Sequence, residues 1–323
     1  MRAPDFWDRD DALSRLGMAL LSPLSGLYAA AVRYKARHTT PHRVRVPVIC
    51  VGNISSGGTG KTPIAIAVAD AIIARGRNPF FLTRGYGGQL KGPVVVARSH
   101  KAVDVGDEPL LLSRKAATVV SRDRAAGADL AIERGADVII MDDGYQNFTL
   151  AKDLSLVVVD GPKGFGNGHV LPAGPLREPV AEGLARADAV IITGDGNPPL
   201  PAFEGPVLRA HIGPAATESW RGQRVLAFAG IGRPEKFFRS LTELGAEIIG
   251  ARSFPDHHPY TSRELETLKI QARTAKAKLV TTEKDFVRLS ETDGEDVAVL
   301  PVTASIEPLA VLDRLLDSVC GAH

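Results

Sequence analysis

The segment Ser55-Ser56-Gly57-Gly58-Thr59-Gly60-Lys61-Thr62 constrains this chain more than any other. It follows an apolar β-type run at 46–51 and precedes PIAIAVADAII, whose pattern predicts a helix over 63–75. Strand, glycine-rich turn and helix together are the context that gives a Walker A reading a mechanism. The glycines let backbone N–H groups converge on phosphates, Lys61 neutralises the β and γ oxygens, and Thr62 offers a hydroxyl to magnesium. Pro63 suits the first helical turn, where its missing N–H costs nothing. The loop departs from the strict pattern at Ser55, where glycine is usual; Gly57 and Gly58 still give backbone access, so it reads as a variant of the loop.

A second apolar run, ADVIIMDD, ends in Asp142 and Asp143. A strand delivering a carboxylate beside the loop is the Walker B arrangement, with one of these two acids at magnesium. Paired aspartates at a strand end also open ordinary turns, and gain meaning here from the glycine-rich loop. A guanine-specific switch is disfavoured: Thr281-Thr282-Glu283-Lys284-Asp285 carries its lysine one place too late for the Thr/Asn-Lys-x-Asp pattern.

Around these motifs, strands are predicted at 46–51, 80–83, 94–97, 117–121, 138–141, 154–159 and 189–193, with helices at 63–75, 109–116 and 124–134. Such alternation implies a mostly parallel α/β sheet with helices on both faces. Pro/Gly-rich punctuation at 194–201 and 213–217 precedes a restart, with strands at 224–229, 247–251 and 279–282 and helices at 234–244, 262–276 and 308–319. The expected organisation is an N-terminal segment 1–45, a P-loop core 46–214 and a smaller C-terminal α/β domain 215–323 that closes over the site.

Charge narrows the partners. The 39 basic and 37 acidic residues leave +2, so no global field draws the chain to nucleic acid. Cys50 and Cys320 form neither a CxxC nor a disulfide framework, which fits a reducing compartment. Near the start, Asp5, Asp8, Asp10 and Asp11 and the lack of an Ala-x-Ala site argue against a cleavable signal. Residues 16–32 are uncharged but short for a span and interrupted by Pro23 and Gly26. Arg33, Lys35, Arg37, Arg43 and Arg45 follow without an acidic residue, a pattern that suits either a helix on an anionic leaflet or a core helix with a basic linker.

Further motifs occur in order: Gly52-Asn53-Ile54, Thr83-Arg84-Gly85-Tyr86-Gly87-Gly88, Gly106-Asp107-Glu108-Pro109, Asp142-Asp143-Gly144-Tyr145-Gln146-Asn147 and Gly166-Asn167-Gly168. Then come Leu171-Pro172-Ala173-Gly174-Pro175-Leu176-Arg177-Glu178-Pro179, Phe228-Ala229-Gly230-Ile231-Gly232-Arg233-Pro234, Phe254-Pro255-Asp256-His257-His258 and Thr282-Glu283-Lys284-Asp285. In combination they resemble the tetraacyldisaccharide 4′-kinases of lipid A biosynthesis, over about 48–289.

That resemblance implies ATP and Mg²⁺, an acylated glucosamine disaccharide 1-phosphate as acceptor, and work at the cytoplasmic face of the inner membrane. It implies no protein partner, and it tilts the apolar, basic N-terminus toward interfacial anchoring. It makes Asp107 the candidate base, polarised by a histidine of the second domain, with His257 preferred to His258; an aspartate after a Gly turn is otherwise a common N-cap. Glu108 either assists magnesium or is a dipole-favoured first-turn acid. Arg177 suits a phosphate or sugar oxygen, and Glu178, Tyr86 and Gln146 join it as candidate substrate residues on the ligand side of a doubly wound sheet. Arg122 and Arg124 contact anionic groups or begin a solvated helix. Two rivals share the loop: a membrane-bound ATPase switch, which has no need of Asp107, His257 or 171–179, and a non-catalytic lipid-binding scaffold, against which intact Lys61 and Thr62 argue.

Overall fold

The computed structural model describes residues 4–9, 11–215 and 220–321; Asp10 and residues 216–217 of the expected punctuation lie outside them. The strands are β1 Val48–Gly52, β2 Pro79–Thr83, β3 Val94–Val95, β4 Thr118–Val120, β5 Val138–Asp142, β6 Leu154–Asp160, β7 Ala189–Thr193, β8 Val207–Pro214, β9 Arg224–Ala229, β10 Glu247–Ser253, β11 Lys278–Thr282, β12 Val297–Leu300 and β13 Val302–Glu307. The α-helices are α1 Ala12–His38, α2 Lys61–Ala74, α3 Ala102–Val105, α4 Asp107–Ser113, α5 Arg124–Glu133, α6 Val180–Leu184, α7 Pro234–Glu243, α8 Ser262–Thr274, α9 Glu283–Phe286, α10 Glu291–Gly294 and α11 Leu309–Cys320.

The large sheet has nine strands in the order β13-β8-β7-β6-β1-β5-β2-β4-β3, parallel except for β3 and β13 at its edges. Central strands such as β1 are buried on both faces, which explains their unbroken apolar runs. Successive residues of β1 serve opposite layers. Ile49 and Val51 pack with Ile64, Val68 and Ile72 of α2, whereas Val48 and Cys50 pack with Ala128 and Ala131 of α5 and Leu184 of α6.

After β8 the chain builds a second, four-stranded parallel sheet, β10-β9-β11-β12, with Phe237 and Leu241 of α7 on one face and Leu265 and Leu268 of α8 on the other. It then returns. β13 pairs antiparallel with β8, Ala304 opposite Ile212, and α11 lays Leu312 and Leu316 into the α2 core. Residues 302–320 therefore join the large sheet rather than a C-terminal unit 215–323, because Ile306, Leu312 and Leu316 complete a core that β8 and α2 leave open. Arg75 fixes that return with ion pairs to Asp313 (2.7 Å) and Asp317 (2.9 Å).

The N-terminal apolar run lies within α1, a 27-residue helix that continues through Pro23. Asp11 caps it by accepting from the Ser14 N–H at 2.7 Å. One face docks: Ser25 Oγ donates to the Val170 carbonyl at 2.7 Å, and Arg33 pairs with Glu182 at 2.7 Å. Leu13, Leu16, Leu20, Leu24 and Leu27 are exposed. Their spacing of three and four puts them in one stripe, on the side of the helix opposite buried Ser14, Ser25 and Ala29. By length and composition alone the helix is apolar enough to cross a membrane.

Candidate active site

The glycine-rich loop leaves the C-terminal end of β1 and turns directly into α2, whose first residue is Lys61. Gly60 caps that helix at φ 85°, where a Cβ would collide with Ile212; left-handed and closely approached, the position takes glycine. Gly57 and Gly58 face open space, with no atom within 4 Å of where a Cβ would lie. The outer edge of the loop is stitched to 171–179. Ser56 donates to the Pro175 carbonyl from N (2.7 Å) and Oγ (2.9 Å), Arg177 N donates to Ile54 O at 2.7 Å, and Ser55 bridges Leu176. An extended residue in a bridge has no use for glycine's freedom, which accounts for serine at 55.

Register brings the acids to the loop, since Val51 of β1 lies opposite Asp142 of β5. Thr62 Oγ1 donates to Asp142 Oδ2 at 3.2 Å, and Lys61 Nζ lies 3.6 Å from Asp143 Oδ1. The two carboxylates differ sharply. Burial pushes the Asp142 carboxyl up to about 7, against the pull of Lys61, and its Oδ1 is buried without a hydrogen-bond partner among the described residues. Burial also opposes ionisation of Asp143, but Lys61 and a two-pronged contact from Arg177 (2.7 and 3.2 Å) outweigh it and hold that carboxyl below the usual range. Among the described residues no group of three His, Cys, Asp or Glu is arranged for a metal. An orphaned carboxylate oxygen beside a threonine hydroxyl fits magnesium, which takes one or two protein oxygens and completes its shell with phosphates and water.

The 171–179 loop is held from below. Glu178 is 1% exposed; its Oε1 accepts from Gln146 Nε2 (2.8 Å) and its Oε2 from Arg186 (2.7 Å). Gln146 also donates to the Asn53 carbonyl at 2.8 Å, and its Oε1 lies 3.4 Å from Arg177. Gln146, Arg177 and Glu178 thus form one connected network with the loop and Asp143. Tyr86 stands apart, 70% exposed, on a turn whose carbonyl abuts Gly106.

At the start of α4, Gly106 rather than Asp107 occupies the cap, so Asp107 is the first helical residue. It is 7% exposed, and its Oδ2 accepts from His257 Nδ1 at 2.7 Å and Arg288 Nε at 2.8 Å. Burial opposes ionisation of Asp107, but these two partners prevail and lower its pKa. His257 has the left-handed φ of 60° and donates its N–H to the Gly230 carbonyl at 3.0 Å. His258 instead contacts Glu264 at 3.1 Å and stacks on Phe254, so the structure brings His257 to Asp107 and His258 into the small domain's own packing. Glu108 pairs with Lys284 of α9 at 2.9 Å.

Three residues here escape sequence reasoning. Arg288 and Lys284 sit on or just beyond a segment that reads as an accidental near-match to a guanine motif. Arg233 crosses from the small domain to lie 3.4 Å from the Gly58 carbonyl and 3.7 Å from Asp160. Arg124, whose place in the sequence suits either anion contact or a solvated helix start, is buried at the head of α5; burial pushes its guanidinium down to about 10, and it donates to the Ser121 carbonyl. Arg122 is exposed.

The family model described as LpxK, tetraacyldisaccharide-1-P 4′-kinase, matches residues 18–320. The chain belongs to the tetraacyldisaccharide 4′-kinase family. It is 52% identical to the tetraacyldisaccharide 4′-kinase of Paramagnetospirillum magneticum over 99% of both chains. It is 49% identical to that of Rhodospirillum centenum, covering 98% of this chain and 96% of the relative. Its fold is similar to a crystal structure of LpxK from Aquifex aeolicus described as an "apo" form in complex with ATP, with TM-score 0.79, 28% identity and coverage of 94% and 99%. The chain is thus a kinase of lipid A biosynthesis, with the α/β architecture of its family.

Proposed function

We propose that this kinase transfers the γ-phosphate of ATP to the 4′-hydroxyl of a tetraacylated glucosamine disaccharide 1-phosphate, at the cytoplasmic face of the inner membrane. The observation that carries the reading is that the small sheet reaches both halves of the site: Arg233 lies 3.4 Å from the Gly58 carbonyl of the glycine-rich loop, and His257 lies 2.7 Å from Asp107. Lys61, Thr62, Asp142 and Asp143 stand at the end of β1 and β5, and Asp107 with His257 bridges the large sheet to the small one.

Phosphoryl transfer asks for positioning, charge neutralisation and a group to take the acceptor's proton. In this reading the amides of Gly57, Gly58 and Gly60 cradle the phosphates while Ser56 keeps its amide on the Pro175 carbonyl, and Lys61 leaves Asp143 to bind the β and γ oxygens. Thr62 and Asp142 would hold magnesium, with Glu108 or Asp143 completing the protein's share, and the ion would supply positive charge to the phosphate oxygens. Asp107, with Oδ2 occupied by His257 and Arg288, takes the proton of the 4′-hydroxyl at Oδ1. Arg177 is already aimed at the site by Asp143 and offers its fork to an anionic oxygen of nucleotide or lipid. Glu178 and Gln146 act by holding that loop in place, and Tyr86 covers the exposed rim.

The leucine stripe of α1 supports interfacial anchoring. Its docked face is committed to 170–182 through Ser25 and Arg33, and its outward face offers five leucines, with exposed Lys35 following them. A helix with one face on protein and the other apolar lies on a bilayer rather than through it. Each acyl CH₂ adds about 0.8 kcal/mol to the retention of the acceptor in the membrane, so the enzyme goes to the lipid.

ATP consumption measured with and without the disaccharide lipid in detergent micelles tests the reading. Turnover that requires the lipid is expected; steady hydrolysis indifferent to it would favour a membrane-bound ATPase switch.

A further inference from the structure

Arg288 is 3% exposed in its side chain and lies between two buried carboxylates, Asp107 of the large sheet's α4 and Asp285 of the small domain's α9. Its Nε meets Asp107 Oδ2 at 2.8 Å and its Nη1 meets Asp285 Oδ1 at 2.8 Å. Nη1 also donates to the Gly230 carbonyl at 2.9 Å, the same oxygen that accepts the His257 N–H at 3.0 Å. One carbonyl therefore registers both donors that converge on Asp107.

Asp285 is in turn fixed from every side. Its Oδ1 accepts from the Gly230 N–H (2.9 Å) and the Tyr260 hydroxyl (2.9 Å), and its Oδ2 accepts from Thr282 Oγ1 at 2.6 Å. Thr282 caps α9 by accepting from the Asp285 N–H at 3.1 Å. Gly230 fits because a Cβ there would press on Tyr260 Oη and Asp285 Oδ1. Arg288 Nη2 is buried without a partner among the described residues, so the guanidinium does not simply complete a saturated structural network.

We propose that Arg288 is a positioning residue for the reaction: with Asp285 as its anchor, it sets the Asp107 carboxylate and the His257 ring in register across the domain boundary. The inference rests on Asp107 being the base. It gives the Thr282-to-Asp285 segment a purpose that has nothing to do with guanine: a rigid mount for an arginine three residues further on. A forked, planar guanidinium bridges two carboxylates from separate nitrogens at fixed separation, which lysine's single ammonium reproduces only in part. Misplacement of a reacting group by about 1 Å costs on the order of 100-fold in rate.

The test is a double-mutant cycle on full-length enzyme in micelles, with melting temperature and ATP affinity measured for each variant. Arg288→Ala should lower kcat by about 100-fold with KM for ATP within about twofold, and Arg288→Lys should recover part of the loss. In an Asp107→Asn background the same Arg288→Ala should cost less than about threefold, since the group it positions is gone. Asp285→Asn should reproduce the loss; if it or Arg288→Ala fails to fold, Arg288→Lys carries the cycle alone. Equal losses in both backgrounds, or a raised KM with kcat unchanged, would overturn the inference. Full turnover by Asp107→Asn would remove the base itself, whereas inert Asp107→Asn beside fully active Arg288→Ala would overturn only the role of Arg288.

Discussion

His257 Nδ1 and Asp107 Oδ2 lie 2.7 Å apart although 150 positions and two sheets separate the residues. On the proposed mechanism, this hydrogen bond completes the base only when the small sheet is docked. Asp107→Ala should lower turnover by about 1,000-fold and His257→Ala by about 100-fold, within the usual range for a lost acid–base group. ATP affinity should stay within about twofold, since neither residue belongs to the glycine-rich loop. Steady-state kinetics with equilibrium nucleotide binding checks both; unchanged turnover for Asp107→Ala would exclude it from the mechanism.

Asp142 gives the metal-free protein an unusual pH dependence. Its folded pKa is pushed up to about 7 by burial, from an ordinary value of 3.8, so between about pH 4 and 7 the unfolded chain releases a proton that the folded one keeps. Stability therefore falls as pH rises through that window, by on the order of 4 kcal/mol if no relaxation intervenes. Metal-free Asp142→Asn should show a flatter melting profile from pH 5 to about 7, and magnesium affinity of the wild type should weaken as pH drops below about 7. Thermal melts in chelator and calorimetric metal titrations measure the two; identical slopes for wild type and Asp142→Asn would refute the assignment.

The site was legible in the sequence where chemistry and spacing are local. The glycine-rich loop, the β5 acids and the central strands all show in runs of a few residues, because a buried parallel strand needs an unbroken apolar run and a phosphate cradle needs its glycines in register. Long-range pairings leave no such trace. Nothing in Val302–Glu307 says that it pairs with β8 rather than with β12, since either edge accepts an alternating strand. The pairing of Arg288 with Asp107 spans 181 positions, and only the fold supplies it. The alternative of an N-cap at Asp107 falls to Gly106, whose φ of 93° turns the chain into α4 one residue earlier.

Glu178 holds a loop together. With both oxygens engaged and the side chain buried, Glu178→Ala takes one acceptor from Gln146, which keeps the Asn53 carbonyl, and one from Arg186, which keeps the Glu182 carbonyl. The variant should lose about 2–3 kcal/mol of stability, reduced from the full cost of breaking a buried pair because Arg186 remains partly in water. Chemical denaturation reads this directly. A variant as stable as wild type but with weakened lipid affinity would return Glu178 to the substrate's surface.

The outward leucines of α1 can be changed without touching the core. Leu16→Glu with Leu20→Glu should reduce binding to anionic phosphatidylglycerol vesicles by more than tenfold, given about 1.5–3 kcal/mol for each buried leucine, while the melting temperature is unchanged. Vesicle co-sedimentation measures it. Undiminished binding would move the membrane contact elsewhere.

The most direct measurement is transfer of γ-labelled phosphate from Mg·ATP to tetraacylated disaccharide 1-phosphate in micelles, with Lys61→Ala alongside and phosphorus NMR of the product. The account predicts a doubly phosphorylated lipid carrying the new phosphate at the 4′-oxygen, formed by the wild type and lost with Lys61→Ala. Label appearing only as free phosphate, or on any other oxygen of the lipid, would contradict it.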